Sequence, residues 1–153
     1  MTPETITRDE MIAAQGRVLG QSDWFIMDQV RIDAFAEVTE DRQFIHIDPV
    51  RAAGTIFGGT VAHGMLTLSM MSGMAYGALP RMAGQSASVN YGFERVRFIT
   101  PVRSGARIRG QFTLAEATPR GRDKLMTRFD VTIEIEGEDR PALTADWLIL
   151  YVF

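Results

Sequence analysis

The chain has 153 residues, 46% of them hydrophobic and 23% charged, with a net charge of −3 and no cysteine. That length suits one domain rather than two, and the composition is that of a globular protein, not of a disordered one. A nucleic-acid binder would carry a basic excess; disulfides and thiolate zinc sites are excluded outright.

We read residues 1–153 as a single domain, with 1–20 a weakly specified lead-in. Its opening, MTPETITRDEMIAAQG, carries acids early and lacks the long apolar core of a secretory signal. Together with the missing cysteines this fits a cytoplasmic location. Residues 23–27 suit a short strand, and Asp28 suits an N-cap. After it, Val30, Ile32, Ala34, Phe35 and Val38 give a helical apolar face that ends near 39–41. Residues 42–59 read as loop, with room for one helical turn over 48–53.

The span 60–79 is the most apolar and reads as the main helix, with Val61, Met65, Leu68, Met71 and Ala75 at helical spacing and Pro80 as the stop. Its length approaches that of a membrane span. His63, Ser69, Ser72 and its glycines point instead to a buried core helix, so no membrane span is expected. A helix apolar nearly all round must be wrapped by other structure. Four β-rich stretches follow, at 86–98, 106–117, 124–136 and 142–153, separated by turn signals at 101–105, 119–121 and 137–141. Consecutive strands imply an antiparallel sheet, so the class is α+β with one helix wrapped by a sheet. One such sheet covers only part of the helix, which predicts a homodimer.

The stretch 39–48 concentrates chemistry. Asp41 and His46 are five residues apart, about 500° of helical rotation, and converge only if the chain leaves the helix between them. A carboxylate and an imidazole holding one water can take and return a proton. The alternatives stay open: Asp41 capping local backbone with His46 in a polar gap, or a metal held with Asp48 and His63. The segment Phe57-Gly-Gly-Thr-Val-Ala-His-Gly-Met65 opens the main helix, whose first-turn N–H groups suit negative charge developing on a substrate oxygen. Its glycines serve equally well as turn and packing residues. Asn90, read as a buried amide, needs partners in either role. Arg95, Arg97, Arg103, Arg107 and Arg109 form either a phosphate-binding set or a solvated strand face.

Taken together, Asp41-Arg-Gln-Phe-Ile-His46-Ile-Asp-Pro49, Phe57-Gly58, Ala62-His63-Gly64-Met65-Leu66 and Ser69 resemble the MaoC-like hydratases, the (R)-specific enoyl-CoA hydratase (hydratase 2) family. The flavour is that of its nodulation protein N branch, on Ser22-Asp-Trp24, Gly58 to Gly64 and Asn90 to Phe98. The resemblance spans about residues 20–153. It implies a single hotdog fold, usually dimeric, and reversible syn hydration of a trans-2-enoyl-CoA to an (R)-3-hydroxyacyl-CoA, without metal or organic cofactor. It assigns Asp41 and His46 as the catalytic dyad, Gly64 N–H as the oxyanion donor, and Ser72 to a serine near the water. Where the family commonly has Asn-Pro, this chain has Gln43-Phe44. That change bears on loop path and pocket shape, because proline fixes φ and phenylalanine does not. Two other functions suit the same fold: an acyl-CoA thioesterase, and a non-catalytic acyl-binding or partner subunit of a mixed dehydratase dimer.

Overall fold

The computed structural model describes residues 4–153. Its centre is an antiparallel sheet built from β5 (Ala87–Phe98), β6 (Ala106–Pro119), β7 (Lys124–Ile135) and β8 (Leu143–Val152), in the order β6-β7-β8-β5. β2 (Val18–Gln21) and β3 (Phe25–Met27) both pair antiparallel with the outer edge of β6. The period-two pattern explains which face turns inward: Leu125, Phe129, Val131 and Ile133 on β7, and Leu143, Ala145, Trp147 and Ile149 on β8 are all buried. The opposite face carries charge, with Arg107 paired to Glu136, Arg109 to Glu134 and Arg128 to Asp130.

The main helix α5 (Gly64–Ala78) lies across the concave face. Leu66, Met71 and Met74 point into the sheet and meet a core that includes Phe112 and Trp147. This is the hotdog arrangement that the resemblance implied. The helix is shorter than the 60–79 expected. Residues 60–63 are held extended because Val61 N–H donates to the Ile45 carbonyl and Ala62 N–H to that of Val102. α5 is also not buried all round within one chain: Met65 is 57% and Tyr76 77% exposed. Among the described residues no helix is long and apolar enough to cross a membrane.

The lead-in differs from expectation too. Between residues 4 and 20 the chain forms β1 (Thr5–Ile6), α1 (Arg8–Ala13) and the start of β2. Thr7 and Glu10 close a capping box, in which Thr7 N–H donates to the Glu10 carboxylate at 2.7 Å and Glu10 N–H to Thr7 Oγ1 at 3.2 Å. Met11 is fully buried. β1 pairs in parallel with β4 (Arg81–Met82), which ties this segment to the far end of α5. Gly20 is where β2 crosses that end: a Cβ there would lie 1.9 Å from the Ala78 carbonyl oxygen.

Candidate active site

Between β3 and α5 the chain makes three helical segments that set the site. Asp28 caps α2 (Gln29–Thr39), accepting from Arg31 N–H at 2.9 Å. The helix ends at Glu40, which takes a left-handed φ of 63°. That conformation costs a non-glycine residue on the order of 1–2 kcal/mol, and it turns the chain sharply so that Asp41 leaves the helix axis. One turn of helix follows, α3 (Phe44–Ile47), and then α4 (Pro49–Ala53). The stretch 42–59, expected as loop, therefore contains two short helices, and the turn anticipated over 48–53 is α4.

The break between α2 and α3 brings Asp41 and His46 together. A ligand atom from each of Asp41, His46 and His63 lies within 4.8 Å of the others. Phe44 stands at the first position of α3. A proline is welcome there because that N–H has no helical partner, so either residue can start this turn of helix. The ring of Phe44 packs instead under the Arg51 guanidinium, 4.1 Å from its carbon.

His46 is 7% exposed and its Nδ1–H donates to the Val61 carbonyl at 2.6 Å. A carbonyl only accepts, so this bond fixes the tautomer and leaves Nε2 as the lone-pair nitrogen. Burial pushes the His46 pKa below its ordinary value; the Val61 bond raises it, His63 lowers it further and Asp41 raises it, with a net lowering. At neutral pH His46 is therefore a proton acceptor. Gln29, from the first turn of α2, braces the arrangement: its Nε2 donates to the His46 carbonyl at 2.6 Å, and its Oε1 accepts from Thr60 Oγ1 at 2.6 Å. Neither Gln29 nor Thr60 carries a signal in the sequence beyond Gln29 following a cap.

Gly64 begins α5, and among the described residues its N–H has no hydrogen-bond acceptor. It opens, with His46, onto a cleft of about 250 Å³ lined by Ile45, Phe57, Thr67 and Phe98. The approach is close: a Cβ at 64 would lie 2.9 Å from two ring atoms of Phe98, so any larger residue here must displace that half-exposed ring. Ser72 and Asn90 lie elsewhere. They line a separate cavity of about 140 Å³ with Trp147 and Tyr151, further along α5. Asn90 Nδ2 donates to Ser72 Oγ at 3.4 Å. Asn90 is exposed rather than buried, because β5 is the edge strand. Within one chain these two residues do not join Asp41, His46 and Gly64.

Two imidazoles and a carboxylate form a ligand set that zinc accepts. The geometry here suits it poorly. The His46 and His63 rings are stacked at 3.7 Å with 23° between planes, so their in-plane lone pairs run side by side rather than converging. One nitrogen of each is already engaged by a carbonyl. Asp48, the fourth ligand considered from sequence, caps α4 by accepting from Arg51 N–H at 3.1 Å. Of the five arginines, Arg95 pairs with Asp146, Arg107 with Glu136 and Arg109 with Glu134, as a solvated strand face does. Arg107 and Arg109 also pack on the Trp24 ring.

The fold and the motif around Asp41, His46 and Gly64 place the chain in one family. It belongs to the MaoC-like domain family, which it matches over residues 10–135. Among curated relatives it is 50% identical over 139 residues to nodulation protein N of Rhizobium leguminosarum bv. viciae, covering 90% of this chain and 86% of that one. It is 36% identical over 143 residues to 3-hydroxyacyl-thioester dehydratase Z of Mycobacterium tuberculosis, covering 94% of each. Among solved structures, the (R)-hydratase of Aeromonas caviae involved in PHA biosynthesis superposes with a TM-score of 0.69 at 27% identity, over 87% of this chain and 95% of that one. The family thus contains named hydratases and dehydratases of acyl thioesters.

Proposed function

We propose that the protein is an (R)-specific enoyl-CoA hydratase. It would catalyse reversible syn hydration of a trans-2-enoyl-CoA to an (R)-3-hydroxyacyl-CoA. The observation that carries the reading is the convergence of Asp41 and His46, within 4.8 Å, with His46 lining the same cleft as Gly64, whose N–H at the head of α5 has no acceptor among the described residues. Two groups that far apart can both bond one water, at about 2.8 Å from each.

The thioester withdraws electrons from the conjugated double bond and makes its β-carbon electrophilic. Asp41 accepts a proton from the held water as its oxygen bonds to that carbon. The electron pair of the double bond moves toward the thioester oxygen, where the Gly64 N–H and the positive end of α5 meet the developing charge. His46, with Nε2 unprotonated, orients the water, and the dyad returns the proton to the α-carbon. Dehydration is the same path reversed. Water adds without net oxidation or reduction, so the step calls on no redox cofactor. Ser72 and Asn90 serve substrate binding in this reading; eight residues along a helix put Ser72 about 12 Å from Gly64, beyond the reacting carbons. The names of the mycobacterial dehydratase and the Aeromonas hydratase support the assignment.

A second copy of the chain completes the proposal. β5 ends the sheet as a 12-residue edge strand, and such edges are normally covered. Tyr91 and Phe93 on it, and Met65 and Tyr76 on α5, stand exposed. A homodimer across this face covers them. We place the reaction in the cytoplasm, in keeping with a cysteine-free chain.

Crotonyl-CoA and water should give 3-hydroxybutyryl-CoA of (R) configuration, read by resistance to an (S)-specific dehydrogenase. A thiol reagent should detect no CoA release. Rapid CoA release would show the thioesterase instead, and (S) product would overturn the stereochemical assignment.

A further inference from the structure

His63 is not absorbed by the chemistry above, yet it sits at the centre of the cluster. It is the residue before α5, 2% exposed, and lies between two rings. Phe35 of α2 meets it at 5.0 Å between centroids, tilted by 59°, and His46 lies against its other face at 3.7 Å. Its Nε2–H donates to the backbone carbonyl of Asp41 at 2.9 Å. Its Nδ1 is buried without a partner. A buried nitrogen left unpaired costs on the order of 1–3 kcal/mol, so a ring chosen for packing alone would do better as phenylalanine. The imidazole supplies what phenylalanine lacks, an N–H directed at Asp41.

We propose that His63 is the positioning residue of the dyad, fixing Asp41 through its backbone carbonyl and the His46 ring by face-to-face stacking. Neither contact is made by another side chain among the described residues. Asp41 follows the left-handed Glu40 in an exposed turn, where its backbone N–H makes only a 3.4 Å bond to Thr39 Oγ1. Without the His63 donor nothing in this turn holds the Asp41 carbonyl. His46 has its Nδ1 bond to Val61, which fixes one ring atom; the His63 plate restrains rotation of the ring out of its plane. The groups that bear electrostatically on His46 are Asp41, from the turn between α2 and α3, and His63 at the head of α5. From α2 the neighbours Gln29 and Phe35 are uncharged, and the cleft wall offers the Val61 carbonyl.

This inference rests on the hydratase reading for its kinetic arm only. Two variants divide the roles: His63→Phe keeps the plate and removes the N–H, and His63→Gln keeps an amide donor at similar reach and removes the plate. Misplacing a reacting group by about 1 Å costs up to roughly 100-fold in rate. His63→Phe should therefore lower kcat on crotonyl-CoA by about 10- to 100-fold with KM changed by less than about threefold, and His63→Gln should recover part of the loss. The second arm needs no substrate. The chain has two histidines, so each His63 variant leaves His46 as the single imidazole in the NMR spectrum. With His63 present, Asp41→Asn should lower the His46 titration midpoint, because Asp41 raises it. With His63→Phe, the same Asp41→Asn change should move it by less than half as much. Undiminished coupling between Asp41 and His46 in both His63 variants overturns the proposal, and so does a His63→Phe enzyme at wild-type kcat. If His63→Phe does not fold, the His63→Gln comparison decides. Wild-type protein without hydratase activity would refute the proposed function alone, since the titration arm stays readable.

Discussion

Substitution at Gly64 separates the role of its N–H from its role as a space-maker. A Cβ at this position would stand 2.9 Å from Cδ1 and Cε1 of Phe98 and 3.2 Å from Cγ, against 3.4–4 Å for ordinary contact. The ring must therefore withdraw by about half an ångström, toward the low end of the ~1–3 kcal/mol range for overpacking. Phe98 is half exposed and can make that shift, so Gly64→Ala should cost about 1 kcal/mol or less, a melting shift of about 2–4 °C in a chain of this size. Gly64→Pro adds the same Cβ and also deletes the N–H. Proline suits the first position of a helix. His63 before it already has φ −58° and ψ 135°, the extended region that precedes proline. The two variants thus share the added Cβ against Phe98; proline differs in lacking the donor and in carrying ring carbons, with Cδ where the N–H hydrogen stood. Loss of one oxyanion donor costs about 10²–10³ in kcat, or ~2.7–4 kcal/mol, so the proline variant should be slower than the alanine variant by that factor. The assay is the initial rate of loss of the conjugated enoyl-thioester absorbance at saturating crotonyl-CoA, with circular dichroism to confirm the fold. A folded Gly64→Pro protein within about threefold of Gly64→Ala would refute the assignment of this N–H, since that lies far from the donor range.

Two further outcomes follow from the same geometry. His46 has a folded-state pKa below its ordinary 6.5, mainly through burial. Between those two values the unfolded chain binds a proton that the folded chain does not, so stability should rise with pH through this window and fall on acidification. kcat should fall only at the lower end of this window and below it, where Nε2 of the folded enzyme becomes protonated, and thermal melts should show a shallower acid slope in His46→Gln; equal slopes would contradict the cause assigned. In solution, light scattering should give about twice the 17.0 kDa chain mass, and a fully active monomer would refute the covering of α5 and β5 by a second copy.

Much of the fold is legible because β6, β7 and β8 are β-rich stretches set apart by turn signals at 119–121 and 137–141, although the alternate burial they show is masked in β8 by apolar residues on both faces. The start of α5 was not legible. Thr60 to His63 are compatible with helix, but they are pulled extended by hydrogen bonds from Val61 to Ile45 and from Ala62 to Val102, partners distant in sequence. The lead-in shows little in sequence although Thr7-Arg-Asp-Glu10 is a capping-box pattern, because α1 has few residues over which a periodic pattern can appear. At the site, Asp41 and His46 could be named from their motif, but their convergence depends on the left-handed turn at Glu40, a conformation that its residue type does not announce. The sequence marks His63 as a metal candidate and as part of the family motif, but its stacking on His46 is a tertiary contact with no local signature. The exposure of Asn90 is not legible, because a 12-residue β-pattern does not say that β5 lies at the edge.

The central claim is that Asp41 and His46 move the proton of an attacking water, and the kcat of purified Asp41→Asn on crotonyl-CoA tests it most directly. The change keeps side-chain size and removes the base, in a residue that is exposed and outside the core. Its fold should therefore survive, as a melt beside wild type will show. A positioned general base contributes about 10²–10⁴-fold, so kcat should fall by about that factor while the protein stays folded. A folded Asp41→Asn enzyme hydrating crotonyl-CoA within about threefold of wild type lies outside that range and would contradict the account.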